Sequence, residues 1–345
     1  MLMNLRRTLA LLALGLAVAG PVMAAAIPTG EPPTVREPLQ KYWDQSRSGG
    51  PPRDGIPSID KPRFETADQA NRWLEAGSRV IGLYRNGEAR AYPQSLLVWH
   101  EIVNDTVAGD PIAITYCPLT GSALGFERGK DTLGVSGRLV NSNLIMFNRA
   151  TDTYWPQILA AGIHGPQKGQ GLKEVRVVWT DWASWKKRHP ETKVLSRQTG
   201  FARNYRRDAY GSYTPLSGYY AGGGTLFPVL AKNRRFPQKH EILGFRTANE
   251  AVAIDPAALA KAGHLRHAGK NADFLIVHDP GLGTGWVYRA ARGGLPSDKD
   301  LAGLTFSAKG PVGKALAGLQ PVNAFEAMWF AWYAFYPGTV VIGKT

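Results

Sequence analysis

The chain has 345 residues, of which 44% are hydrophobic, with ten tryptophans and a formal charge of +14. This composition excludes an intrinsically disordered protein, because there is enough apolar surface for a packed core. The single cysteine, Cys117, excludes a framework of internal disulfides. The length predicts two ordinary domains.

The first residues have the pattern of a secretory signal peptide. Arg6 and Arg7 give a positive start, residues 9–19 are apolar, and small residues at 22–24 suit cleavage. The apolar stretch is too short to cross a bilayer comfortably. We therefore predict a signal peptide over 1–24, a periplasmic or secreted location, and no transmembrane segment after cleavage.

Two features precede the regularly patterned part of the chain. Residues 25–66 are rich in proline and glycine with little periodicity, which predicts an extended arm that wraps the body or links it to the membrane side. A short helix is predicted around 68–75.

An internal repeat organises the rest of the chain. Residues 79–128 align without a gap with residues 241–290, at a constant offset of 162. A second match, at an offset of 147, places Trp185 beside Trp332 in segments that both read as a helix followed by a strand. Two matched blocks in the same order indicate a duplication.

Each copy predicts a hairpin, a crossover, a buried strand, further hairpin strands and a closing helix and strand. The Asn86-Gly87 pair is typical of the turn in the first hairpin. We predict an α+β fold, rich in antiparallel strands, with two tandem related lobes. Their boundaries are 67–200 for repeat 1, 201–239 for a connecting segment, and 240–345 for the divergent repeat 2.

The two copies differ in their reactive residues. At the offset of 162, His100 is matched by Ala262 and Cys117 by Asp279, whereas the turn keeps its proline and glycine. A scaffold that is kept while its polar groups change favours a chemical site in the first copy.

Cys117 ends a predicted strand, on a turn that can direct backbone N–H groups at one point. We predict it as a nucleophile with His100 as its base, and Asn141, Asn143 and Gln157 as polar positioning groups. One alternative is a buried, inert thiol. Another is a single zinc or copper ion held by Cys117 and His100, although no closely spaced set of Cys and His ligands exists.

A basic and aromatic group lies in the connecting segment. Arg203, Arg206 and Arg207 stand beside Tyr205 and Tyr210. Nucleic acid is excluded as a partner by the predicted export, which leaves an anionic envelope ligand or a plain solvated surface.

Several long motifs resemble the DUF3179 family, a family of unknown function. The resemblance covers most of the chain after residue 49 and implies an exported or envelope setting, without an established activity, cofactor or substrate. It rests on the residues GIPSID at 55–60, WHEIVND at 99–105, TYCPLTGSA at 115–123, the polar stretch at 136–143, YWPQ at 154–157 and WFAW at 329–332.

One departure from the resemblance concerns Thr120, where relatives look as if they carry a second cysteine. A Cys-x-x-Cys turn suits dithiol redox chemistry or a soft metal. Thr120 excludes a disulfide within this turn. We therefore expect an enzyme-like or cofactor-binding site around Cys117 and His100, whose cofactor is not specified by the sequence. The competing hypothesis is a ligand-binding or scaffold protein in which Cys117 is buried.

Overall fold

The structure is a computed structural model that describes residues 26–343. The predicted signal peptide lies outside the described residues. The fold is mostly β, with 38% strand and 14% helix.

The helices are short and connect or cover strands. They are α1 Leu39–Asp44, α2 Ala67–Ala70, α3 Gln94–His100, α4 Trp182–Arg188, α5 Pro256–Ala262, α6 Asp298–Leu301 and α7 Trp329–Phe335, together with a 3₁₀ turn at Lys314–Leu316. Of the helices in the described part of the chain, none has the length and apolar content needed to span a bilayer.

The strands of the first part of the chain are β1 Thr29–Gly30, β2 Arg47–Ser48, β3 Phe64–Glu65, β4 Arg79–Arg85, β5 Glu88–Pro93, β6 Ile102–Val107, β7 Asp110–Cys117, β8 Ser122–Glu127, β9 Leu133–Val140, β10 Asn143–Asn148, β11 Tyr154–Pro156, β12 Gly171–Leu172, β13 Glu174–Val175, β14 Val178–Asp181 and β15 Lys193–Leu195. The remaining strands are β16 Gly211–Tyr213, β17 Leu216–Gly218, β18 Glu241–Arg246, β19 Ala251–Ile254, β20 His264–Ala268, β21 Asp273–Asp279, β22 Thr284–Ala290, β23 Thr305–Ser307, β24 Gly310–Val312, β25 Gln320–Val322, β26 Ala324–Met328 and β27 Val340–Ile342.

Five small sheets are arranged as a five-bladed β-propeller. Their strand orders are β11-β10-β9-β2, β13-β8-β7-β6, β14-β4-β5-β15-β3, β26-β18-β19-β27 and β20-β21-β22-β25. The pairs β1-β12, β16-β17 and β23-β24 form separate two-stranded ribbons. Most neighbours are antiparallel, but β15 joins β5 and β27 joins β19 in parallel.

The predicted α+β fold with two tandem lobes is wrong. The helices are too short to form a layer, and one hydrophobic core contains residues from both predicted lobes, such as Leu119 with Ile242 and Trp329. A backbone hydrogen bond from Met328 N to Thr120 O, at 2.9 Å, also joins them. Hydrophobic alternation indicates strands but not the packing of one sheet on another. For this reason the sequence did not distinguish two lobes from five blades.

The two aligned segments nevertheless contain the same elements in the same order. β4, β5, α3, β6, β7 and β8 correspond to β18, β19, α5, β20, β21 and β22. The closing helix and strand, α4 and β15, correspond to α7 and β27. Each segment thus supplies two blades, and β9, β10 and β11 supply most of the fifth. The duplication itself stays a prediction.

The predicted arm contains short regular elements. β1 pairs with β12, β2 pairs with β9, and α1 places the buried ring of Tyr42 in the main core. The helix predicted at 68–75 is shorter in the structure, where α2 is capped by Thr66. The domain boundaries stay predictions.

Candidate functional site

The turn that carries Cys117 joins two central strands of one blade. Cys117 ends β7 and pairs with Ser122 at the start of β8. The turn is closed by a hydrogen bond from Thr120 N to Cys117 O, at 3.3 Å. Gly121 has a φ of +56°, a backbone conformation that favours glycine. These features fix the position of the cysteine at the strand end.

The thiol of Cys117 is enclosed. The residue is 1% exposed, and its Sγ lies 3.4 Å from the N–H of Leu144 and 3.8 Å from the carbonyl oxygen of Ser142. Burial, followed by the negative charge of Glu101, raises the pKa of the thiol to about 11. The thiol is therefore protonated at neutral pH.

Asn143 and Gln157 belong to a buried polar network beside this turn. The Gln157 side chain accepts from Ser122 Oγ at 2.7 Å and from Asn143 Nδ2 at 3.0 Å, and donates to Thr115 Oγ1 at 2.9 Å. Asn143 also donates to Thr120 Oγ1 at 3.1 Å and accepts from the backbone N–H of Ile158 at 2.9 Å. Because their polar atoms bond to each other, these side chains hold the turn in place.

Asn141 and Ser142 form the two-residue turn between β9 and β10, with φ angles of 54° and 60°. Such a hairpin turn requires positive φ at both central residues, which asparagine tolerates. The Asn141 side chain donates to Ala334 O at 3.2 Å and accepts from the N–H of Leu230 at 2.8 Å. Ser142 Oγ donates to Phe227 O at 2.9 Å. This turn therefore anchors the connecting segment.

His100 is buried, and both of its ring nitrogens have partners other than Cys117. Nδ1 lies 2.7 Å from Pro57 O, and Nε2 lies 2.7 Å from the hydroxyl of Tyr205. Burial lowers the pKa of His100. In a neutral ring Nδ1–H donates to the carbonyl and Nε2 accepts from Tyr205. Among the described residues no hydrogen bond joins His100 to Cys117, and the roles of base and nucleophile stay predictions.

Glu101, which the sequence reasoning did not select, is the acidic neighbour of Cys117. It is 7% exposed, and its carboxyl group has no hydrogen bond to any residue that the structure describes. Burial raises its pKa to about 8. The carboxyl group is therefore mainly protonated at neutral pH and is free to donate a hydrogen bond.

The backbone at Glu101 is in a conformation that side chains rarely adopt. It ends α3 with a φ of 56°, and its carbonyl oxygen accepts from Tyr116 N at 2.7 Å. At the offset of 162, Gly263 ends α5 with a φ of 74°, and its carbonyl oxygen accepts from His278 N at 2.8 Å. Glycine fits this position without strain. A glutamate in this strained conformation is a candidate for a functional role.

Two tyrosines of the connecting segment cover Glu101 and Cys117. Burial and the charges of Glu101 and Cys117 raise the pKa of Tyr210, and burial and Cys117 raise that of Tyr219. Tyr219 donates its hydroxyl to Leu119 O at 2.8 Å, whereas the Tyr210 hydroxyl has no partner in the described part of the chain. A carboxyl, a thiol and a phenol, all protonated at neutral pH, thus lie together.

The single zinc or copper ion predicted at Cys117 and His100 stays a prediction. Within residues 26–343, no group of three or more His, Cys, Asp or Glu side chains is placed to hold one. His100, a predicted ligand, has both ring nitrogens engaged, which leaves Cys117 with Glu101. Zinc sites need three or four protein ligands.

A family model described as a protein of unknown function, DUF3179, matches residues 53–339. The chain belongs to the DUF3179 family. No curated protein and no solved structure matches it. The resemblance predicted from the sequence is confirmed, and it brings no activity with it.

In this DUF3179 protein, Asn143 and Gln157 lie in the polar network beside the Cys117 turn, and their roles as positioning groups stay predictions. His100 and Asn141 instead fix loops around the site. The sequence contained a signal for Glu101, because the alignment of the two copies places it opposite Gly263. The loss of a glycine at a helix end is a sign of either strain or function.

Proposed function

We propose that this DUF3179 protein has an acid site in its first half, in which Glu101 and Tyr210 bind an oxygen atom of a small molecule. Glu101 acts there as a general acid. The observation that supports this proposal is the carboxyl group of Glu101, a residue that is 7% exposed. This group has no hydrogen-bond partner among the described residues and stands where the second copy has Gly263.

The protonation states favour binding of an acceptor oxygen. A carboxylic acid that stays neutral in an apolar site donates a hydrogen bond, as a phenol does, and two such donors stabilise charge that develops on a carbonyl oxygen. The pKa of Glu101, about 8, also lies close to neutral pH, where a general acid is most effective. The substrate class is therefore a small carbonyl compound.

A nucleophilic role for Cys117 has less support. With a thiol pKa of about 11, forming the thiolate at pH 7 costs on the order of 5 kcal/mol. His100 does not contact the thiol and cannot remove its proton directly. We assign Cys117 to the wall of the acid site, where its S–H group donates to Ser142 O.

Binding of a ligand without catalysis is the second candidate function. The closed network of Asn143 and Gln157 favours it, because every polar group in the network already has a partner. In this case the Glu101 carboxyl group and the Tyr210 hydroxyl group hold a carbonyl or carboxylic acid ligand that does not react. The two candidates differ in turnover and not in binding.

The protonation of Glu101 is the first test. Its titration is followed by the infrared band of the carboxyl group, in the difference spectrum between the wild type and Glu101→Gln. The spectra are recorded with and without acetamide, a probe whose oxygen atom accepts hydrogen bonds. We expect a midpoint near 8 and a shift of the protonated band when acetamide binds. A midpoint near the ordinary value of 4.5, or a band that acetamide leaves unchanged, would contradict the proposal.

The reactivity of Cys117 provides a second readout. Glu101→Gln removes the negative charge that raises the thiol pKa, so alkylation of Cys117 by iodoacetamide is expected to reach its plateau at lower pH. His100→Gln is the matched control and is expected to leave the thiol pKa unchanged. An effect of His100→Gln alone would favour the cysteine–histidine dyad instead.

We infer that the protein is exported and meets anionic envelope polymers. The apolar residues 9–19 behind Arg6 and Arg7 support export. The exposed side chains of Arg206 and Arg207 support contact with an anionic ligand. Mass spectrometry of the protein from a periplasmic fraction tests export: an N-terminus near residue 25 is expected, and an intact N-terminus in the cytoplasmic fraction would contradict it.

A further inference from the structure

A cleft lies away from Cys117, between residues of the predicted repeat 1 and residues of the predicted repeat 2. It has a volume of about 370 Å³ and is bounded by Tyr84 and His189 from the first half and by Trp286 and Lys309 from the second. Clefts between related units are common places for small ligands. Nothing in the acid site uses these residues.

His189 has an unsatisfied ring nitrogen at this cleft. The residue is 5% exposed, and its Nε2 is buried without a hydrogen-bond partner. Its ring packs on Trp185, with centroids 4.0 Å apart, and stacks on Tyr84 at 5.2 Å. Buried polar atoms without a partner are uncommon and call for an explanation.

The other half satisfies the corresponding position. At the offset of 147, Tyr336 takes the place of His189, and both residues cap a helix with the backbone N–H bonded to a tryptophan carbonyl. The Tyr336 hydroxyl donates to Ile158 O at 3.0 Å. Nε2 of His189 has no such acceptor or donor. The missing partner is therefore not a general property of this turn.

The charged residues that line the cleft are all basic. Arg85, Arg176 and Lys309 line it, and none of the described lining residues is acidic. Arg85 is paired with Asp110, whereas Lys309 lies at the tip of the β23–β24 hairpin without an ion-pair partner in the part of the chain described. The side chain of Lys309 is thus available to a bound anion.

Aromatic rings form the walls of the cleft. Tyr84, Trp185 and Trp286 line it, and Trp286 is held by a hydrogen bond from its Nε1 to Asp279, at 3.2 Å. Such faces pack on flat or ring-shaped molecules. A fixed aromatic wall beside a free cation selects for a ring that carries a negative charge.

We propose that this cleft binds a small anionic ring compound with a hydroxyl group. The hydroxyl bonds to Nε2 of His189, the ring packs on Trp286, and the anionic group pairs with Lys309. A hydroxyl both donates and accepts, so it satisfies either tautomer of the histidine. Because Nε2 is covered, the proposal requires that a neighbouring ring, Tyr84 or Trp185, moves when the ligand enters.

Two probes distinguish the sources of such a ring. 4-Hydroxybenzoate represents aromatic acids, and its control, benzoate, lacks the hydroxyl. Glucuronate represents acidic sugars, and its control, glucose, lacks the charge. Binding is measured by calorimetry and by ligand-observed NMR. We expect one hydroxylated anion to bind at least about tenfold more tightly than its control. If neither does so, the proposal is overturned.

The variants assign the contacts. His189→Phe keeps the ring and removes the nitrogen, and Lys309→Gln removes only the charge. Each is expected to weaken binding about tenfold, whereas Lys61→Gln, an exposed lysine outside the cleft, leaves it unchanged. Far-UV circular dichroism checks that each variant is folded. Binding that persists unchanged in both cleft variants would overturn the proposal, and the acid site of Glu101 would be unaffected by that result.

Discussion

Trp185 and Trp332 make the same two contacts in the two halves of the molecule. The indole N–H of Trp185 donates to Thr192 Oγ1 at 3.0 Å, and that of Trp332 donates to Thr339 Oγ1 at 3.0 Å. Each ring packs against a glycine: Trp185 against Gly82 of β4, and Trp332 against Gly244 of β18. The helix that closes each half is thus locked to its sheet in the same way.

This contact predicts the effect of enlarging the two glycines. A Cβ atom at Gly82 would overlap the ring of Trp185, and one at Gly244 would overlap the ring of Trp332. Gly82→Ala and Gly244→Ala are each expected to destabilise the fold by roughly 1–3 kcal/mol, measured by urea denaturation. Gly223→Ala is the control, because no atom lies within 4 Å of its added Cβ. Equal stability of all three variants would show that the tryptophans can move away.

The raised pKa of Glu101 predicts a stability that depends on pH. The folded protein binds its proton up to about pH 8, while the unfolded chain releases it near 4.5. Between these values the folded state holds more protons, so stability falls as pH rises. Each pKa unit of difference corresponds to ~1.4 kcal/mol. The decline in the free energy of unfolding from pH 5 to pH 8 is therefore expected to be steeper in wild type than in Glu101→Gln, and parallel curves would refute a raised pKa.

The ion pair between Arg188 and Asp279 predicts the cost of removing a buried charge. Asp279 is fully buried and accepts from both terminal nitrogens of Arg188, at 2.8 and 3.1 Å. Asp279→Asn leaves the guanidinium without its counter-charge, and we expect a loss of roughly 3 kcal/mol in the free energy of unfolding. Asp298→Asn, at an exposed pair with Arg266, is expected to leave the free energy of unfolding almost unchanged, because water screens an exposed pair. Similar losses in both would contradict this assignment.

The polar network predicts a structural role for Gln157. Gln157→Leu removes the acceptor of Ser122 and Asn143 and the donor to Thr115. Leaving these buried groups unpaired is expected to destabilise the fold by about 2–3 kcal/mol in chemical denaturation. Gln198→Leu, at an exposed position, is the control. If Gln157→Leu were as stable as wild type and lost only ligand binding, the amide would be a functional group after all.

The sequence was informative wherever local pattern decides local structure. Asn86-Gly87 has the two positive φ angles expected of the predicted hairpin turn. Cys117 stands at the end of a strand, as the apolar run before it indicated. These features depend on neighbours within a few residues, and for this reason a single sequence contains them.

The arrangement of the sheets and the partners of the candidate residues could not be predicted in this way. Both depend on contacts between distant parts of the chain, such as Tyr205 with His100 and Leu230 with Asn141. The predicted pairing of His100 with Cys117 rested on residue types, which state what a side chain can do but not what it touches. Glu101 was missed because it was not compared with its counterpart in the second copy, Gly263.

The short strand β2 has a consequence for the region shared by the family. β2 pairs with β9 at one edge of the sheet β11-β10-β9-β2. It lies before the residues 53–339 that the family model matches. Without β2, the backbone N–H and C=O groups along β9 form an open strand edge, which invites pairing with another chain. The pairs of Arg47 with Leu139 and of Ser48 with Arg138 therefore cover part of this edge with residues that the family model does not include.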